Sequence, residues 1–223
     1  MERLLHLFEL YPLDFVSYTS SLIPIVVGVV MFGAHRRNNR YIWLLFIFFF
    51  TKETYSIWYA YWRLNNLFIQ NLETVFETAF VGLIYYSCFS NTVSKRIILG
   101  ASILTIIIIL LTYTPGQLSL PSLLLFRVYC TIASLAYFNK VLADLRIRNI
   151  LKHPLFWFTS GLLIYVLGTF FTSLFSEFIF DPKTVPDETF DFYWNINNVL
   201  FVVFSLLSAI GLWCVRYDQD NVL

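Results

Sequence analysis

The sequence predicts an all-α polytopic membrane protein of seven transmembrane helices, on three observations. Of its 223 residues 58% are hydrophobic and 20% aromatic, and only 13% are charged, about half the charged share of an ordinary soluble domain. Seven apolar runs, each long enough to cross about 30 Å of hydrocarbon as a helix, follow one another between polar breaks. Lysine and arginine concentrate in alternate breaks, the pattern that marks cytoplasmic loops. Seven spans of about 22 residues take up about 154 positions, which leaves no room for a soluble catalytic domain. Residues 1–223 are therefore read as a single integral membrane domain.

The runs cover about 15–35, 41–63, 66–90, 97–113, 121–140, 154–177 and 194–215. His35 to Arg40 closes the first, Asn65 and Asn66 divide the second from the third, and Asn91 to Arg96 closes the third. Pro115-Gly116, the stretch from Leu142 to His153, and the acidic stretch 181–191 supply the remaining breaks. Arg63 to Asn66 is the tightest of them. If the second and third runs formed one re-entrant hairpin, the number of spans would fall to five or six.

Direction follows from the basic residues. Ten lie on one side: Arg36, Arg37, Arg40, Lys95, Arg96, Lys140, Arg146, Arg148, Lys152 and Arg216. The other side holds Arg3, Arg63 and Lys183. This excess sets the N-terminus outside and the C-terminus in the cytoplasm. Residues 1–13 mix both charges, contain Pro12 and lack a small-residue cleavage site, so they do not read as a secretory leader. Residues 1–14 read instead as a short outer interfacial segment anchored by Leu4, Leu5, Phe8 and Tyr11. A faint repeat joins Trp62-Arg-Leu-Asn65-Asn66-Leu67, which opens the third span, to Trp194-Asn-Ile-Asn197-Asn198-Val199, which opens the seventh. It is consistent with a 3+1+3 arrangement in which helices one to three and five to seven are parallel repeats.

Lys52, Glu53, Glu73, Glu77 and Arg127 lie within the spans. A charged side chain near the bilayer centre costs about 2.5–3.5 kcal/mol on insertion scales, so five of them must be paired, neutralised or hydrated. All five fall between the midplane and the outer surface. Lys52 lies twelve residues past Arg40, about 18 Å into the membrane. Asn66, Gln70, Glu73 and Glu77 follow helical steps of four, three and four and form one polar stripe; Lys52, Tyr55, Ser56, Tyr59 and Arg63 form another. Asn195 and Asn198 give the outer turn of the seventh span a polar face. The expectation is an outer-half polar pocket walled by Trp58, Tyr59, Trp62 and Trp194. Its candidate ligand-binding residues are Lys52, Glu53, Tyr59, Asn66, Gln70, Glu73, Glu77, Arg127, Asn195 and Asn198. Two cations against three carboxylates leave a net charge of −1, which a proton, Arg63 or a cationic ligand would balance. The bland reading of the same residues is a set of buried ion pairs that fixes helix register.

Other features read as packing. Gly161, Tyr165, Gly168 and Thr172 share one face of the sixth span, a spacing that lets helices approach closely within the chain. The run from Phe46 to Phe50 reads as lipid-facing surface. Cys88, Cys130 and Cys214 read as small buried hydrophobes. His6, His35 and His153 stand at span ends or in loops, which argues against an intramembrane zinc hydrolase. The seventh span has no Lys to carry a retinal Schiff base. Gly100-Ala101-Ser102 resembles the serine motif of rhomboid proteases, but no buried His is there to act as its base. Asp187, Glu188 and Asp191 read as a solvated loop rather than a Ca²⁺ site. No phosphate-binding Gly-rich loop or extended basic face for nucleic acid is present. No cofactor, metal or catalytic residue is expected.

The segment His153-Pro154-Leu-Phe-Trp157-Phe-Thr-Ser-Gly161-Leu-Leu-Ile-Tyr165-Val-Leu-Gly168 resembles the signature stretch of a group of small seven-helix bacterial membrane proteins. Glu77 resembles a recurrent position of that group. The resemblance implies a multi-pass protein of the bacterial inner (cytoplasmic) membrane, working beside a sensor kinase or another signalling protein, and it implies no particular chemistry. Three function classes follow, in order. The first is a receptor-like sensory module that takes a small molecule or lipid in the outer pocket. The second is a small-solute transporter similar in layout to sugar-conducting seven-helix proteins, although the Pro-Gln motif of related families is absent. Third comes a lipid-modifying enzyme with Glu73 and Glu77 as an acid/base pair.

Overall fold

A computed structural model describes residues 8, 11–34, 37–62, 64–113, 119–144, 149–175 and 186–217. Among them the chain is helical throughout, without a strand. The elements are α1 (Pro12–Ser20), α2 (Leu22–Val30), α3 (Arg37–Tyr61), α4 (Leu67–Cys88), α5 (Thr92–Leu111), α6 (Leu120–Asp144), α7 (Pro154–Gly168), α8 (Phe170–Leu174) and α9 (Asp187–Cys214). Ser21 between α1 and α2 and Thr169 between α7 and α8 keep right-handed helical torsions. The nine elements therefore make seven long rods. Six of these rods, all but α3, are long and apolar enough to cross a membrane, as a multi-pass membrane protein requires. At 25 residues α3 is about 37 Å long. It is the least apolar rod because one half carries Thr51, Lys52, Glu53, Thr54 and Ser56.

The boundaries shift for local reasons. Pro12 stands at the first turn of α1, where its missing N–H and fixed φ suit a helix start. The first helix thus begins earlier than expected and takes in Asp14. Thr92 opens α5 because the Asn91 side chain accepts the Val93 N–H at 3.0 Å. The seventh rod starts at Asp187, seven residues before the expected 194, so part of the acidic stretch is helix rather than loop. Lys183 and Glu177 lie outside the described residues, as do Arg3 and the anchoring leucines Leu4 and Leu5. The second and third rods are separate helices. The turn between them is held by Leu64 N–H to the Tyr59 carbonyl at 2.9 Å and by the Asn65 side chain accepting the Leu67 N–H at 2.9 Å.

The core is aromatic. Phe46 and Phe49, expected at the lipid face, are buried on α3 and pack with Phe204 of α9 at 5.3 Å and Phe201 of α9 at 5.2 Å. Ile42, Leu45, Phe46 and Phe49 recur at helical steps of three, one and three and form one inward face. The run is therefore divided between faces, with Phe48 turned to Phe76 of α4 and Phe50 stacked on Tyr18 of α1. Phe158 and Tyr165 of α7 close on Phe204 at 5.6 and 5.8 Å.

Glycines bring α7 and α9 together inside the chain, as the small-residue spacing implied. A Cβ on Gly161 would stand 3.1 Å from Phe204 and Leu207, and one on Gly168 2.6 Å from Leu200. From the other side, a Cβ on Gly211 would meet the Pro154 carbonyl oxygen at 2.6 Å. Ser102 is buried and satisfied, bonded to Tyr129 Oη at 2.6 Å and to the Ile98 carbonyl at 2.8 Å, so this serine is a packing element. At one end of the bundle basic side chains lie over rings. Lys95 faces Tyr86, Lys140 faces Phe89, Lys152 faces Tyr217 and Arg216 faces Trp213, contacts that suit a membrane–water boundary.

Gly211→Ala should therefore lower stability by about 1–3 kcal/mol, because the obstacle is backbone that cannot rotate away. Gly100→Ala, where the added methyl meets open space, should leave it unchanged. Thermal unfolding of the two variants in the same detergent checks the contrast.

Candidate ligand site

At the opposite end of the bundle the helices leave a cavity of about 340 Å³. One face of each of several helices builds it. On α3 the wall residues Phe49, Lys52, Glu53, Ser56, Ile57 and Ala60 follow the i, i+3, i+4, i+7 rule. On α4 the wall is Gln70, Glu73, Thr74 and Glu77, with Asn66 just ahead of the helix; this is the polar stripe expected from spacing. Trp194, Asn197, Asn198 and Phe201 form the single wall face of α9. Arg127 enters from α6, and Tyr165 and Thr172 from α7 and α8.

Lys52 is the hub of the charges. Its Nζ pairs with Glu53 on its own helix and with Glu73 Oε1 of α4 at 2.8 Å. Glu77 and Arg127, 5% and 7% exposed, line the same cavity, yet among the described residues neither belongs to an ion pair. Arg127 turns instead to α7–α8. Its Nε donates to Thr169 Oγ1 at 2.9 Å, at the junction between the two helices. Asn66 Nδ2 donates to Ser56 Oγ at 2.8 Å and ties the start of α4 to α3.

Asp14, placed by sequence in an interfacial segment, is a wall residue. Its Oδ1 accepts from Trp194 Nε1 at 2.8 Å and from Asn198 Nδ2. The signal for it was Pro12, which marks a helix start two residues upstream. With Asp14 included, the cavity wall carries, among the described residues, four carboxylates (Asp14, Glu53, Glu73, Glu77) against two cations (Lys52, Arg127). Asn197 was missed as well, while Asn195 is not a wall residue, since it sits about 100° around the helix from Trp194.

Two of the expected aromatic walls face outward. Trp58 and Trp62 are 60% and 53% exposed and pair with each other at 6.2 Å, as belt residues do. Tyr55 and Tyr59 also leave the cavity; Tyr59 packs edge-on against Phe68 at 5.4 Å. Both tyrosines border a second space, an apolar groove of about 330 Å³ on the outside of the α3–α4 pair. The stripe read on the second span is thus two faces, and Lys52 is the residue common to both. Arg63 lies outside the described residues.

Replacing Lys52 alone leaves two carboxylates without their cation. Lys52→Met should cost about 3–5 kcal/mol, and adding Glu53→Gln and Glu73→Gln should recover most of that loss. Unfolding midpoints across this series test it; an undamaged single variant would count against Lys52 as the hub. No protein-family model matches the chain, and comparisons with curated proteins and with solved structures found no match.

Proposed function

We propose that this chain is a receptor-like sensory module of a bacterial inner membrane, crossing it seven times with α3 as the second span. In this reading the N-terminus is outside and the C-terminus cytoplasmic, so the cavity lies in the outer half and the basic, ring-covered end faces the cytoplasm. A small ligand enters the cavity, and a separate signalling protein, such as a sensor kinase, reads the resulting helix movement at the inner loops.

The observation that carries the proposal is the surplus of buried charge around an open volume. Ion pairs that only fix register would be matched and packed shut. Here about 340 Å³ is left open, within the range of small-molecule sites, and Glu77 and Arg127 face it without pairing to each other. Arg127 also supplies a route for movement, because it reaches both the cavity and Thr169 at the α7–α8 junction. A ligand that draws Arg127 away removes a hydrogen bond from that junction.

A second reading, a small-solute transporter, is favoured by one feature: Asn66 and Asn198 of the repeated Trp-x-x-Asn-Asn motif wall the same cavity, one from the residue ahead of α4 and the other from α9. Flux across proteoliposomes would separate transport from sensing.

Native mass spectrometry of the protein extracted gently from its own membrane, beside a Glu73→Gln/Glu77→Gln variant, tests the ligand site. The expected result is an added small mass on wild type and none on the variant. Two bare proteins, with the variant less stable than wild type, would show that the charges serve structure alone.

A further inference from the structure

The cavity and the groove share a wall. Lys52 and Glu73 face into both, and their ion pair stands between the polar chamber and the outside of the bundle. Along the helices on either side, α3 and α4 are closed by rings: Phe48 meets Phe76 at 5.1 Å in one direction, and Tyr59 meets Phe68 at 5.4 Å in the other. Between these two ring contacts, Lys52 and Glu73 are the residues that line both spaces. Both are long, rotatable and capable of pairing elsewhere, Lys52 already with Glu53.

The two spaces ask for opposite chemistry. Among the described residues, four carboxylates against two cations, counted as ionised, give the wall a surplus of negative charge, and an occupant that balances it brings positive charge. The groove is lined by Phe48, Phe68, Leu72 and Phe76, and Leu72 and Phe76 are exposed on the bundle surface. In a membrane that surface meets acyl chains.

Building on the reading of the cavity as a ligand site, we infer that its occupant is an amphiphile with an amine head. The ammonium sits in the cavity, whose wall carries Asp14, Glu53 and Glu77, and the hydrocarbon tail lies in the α3–α4 groove. The Lys52–Glu73 pair is the threshold over which head and tail join. The ligand therefore comes sideways from the bilayer. A free, water-borne amine would use the cavity and leave the groove empty.

Native mass spectrometry of the full chain in maltoside detergent tests this with decylamine, butylamine and decanoate as probes at equal concentration. Wild type should retain decylamine at least about tenfold more than butylamine, the gain from covering several methylenes, and should retain no decanoate. Leu72→Trp and Thr51→Phe fill the groove from its exposed rim, and each should erase the preference for the longer amine while leaving butylamine retention unchanged. Glu77→Gln should lower retention of both amines. Equal retention of the two amines by wild type, or a preference that survives both groove variants, would overturn the amphiphile and leave a cavity for free amines. Retention of decanoate in place of the amines would overturn the charge argument. Retention of neither amine by wild type would overturn the ligand reading along with it.

Discussion

Lys52 holds a carboxylate from each of two helices, and the arrangement of this end of the molecule follows from that contact. Charges inside an apolar bundle stay only where they find each other or a wet space. By pairing with Glu53 beside it and Glu73 across from it, Lys52 sets the rotation of α3 against α4. That rotation turns Ser56, Gln70 and Glu77 toward the cavity and sends Tyr55 and Tyr59 to the outside. Asp14, Trp194 and Asn198 form a second polar tie, which attaches the first and last rods to the same wall.

Packing below the cavity supplies the rigid part. Phe49 and Phe201 belong both to the aromatic cluster and to the cavity lining, so the cluster serves as a floor. Gly161, Gly168 and Gly211 let α7 and α9 come close enough that added methyl groups would collide. In a bilayer, where lipid tails are as apolar as the side chains, such close approach and its dispersion contacts do much of the holding. A tight seam on one side and a charged, open region on the other give the bundle a rigid frame around a volume that a guest can fill. Arg127 joins the two, since its guanidinium borders the cavity while bonding to Thr169 on the seam-forming α7–α8 rod.

The rods and the polar stripe of α4 were legible in the sequence because hydrophobic length and helical period act locally. Asn66, Gln70, Glu73 and Glu77 fall on one face whatever surrounds them. The pairing of Lys52 was partly legible, since a cation at that depth requires a partner, but the sequence did not say which carboxylate of the third span it would take. Phe46 and Phe49 were misplaced because a run of large apolar residues looks the same whether it faces lipid or core. Asp14 was misplaced because two residues decided whether it belonged to a loop or a helix.

By itself the sequence determined a helical membrane protein, the order of its helices, the excess of basic residues at one end and the need to shelter five charges. Those properties depend on residue type and on spacing within a single helix. Only the tertiary structure decided which faces meet: that the charges surround an open cavity, that Asp14 is one of them, that Trp58 and Trp62 are not walls, and that one ion pair borders both the cavity and an apolar groove. The reason is physical. Rotation of a helix about its axis is set by its neighbours, and in lipid an apolar face is equally content against hydrocarbon or protein.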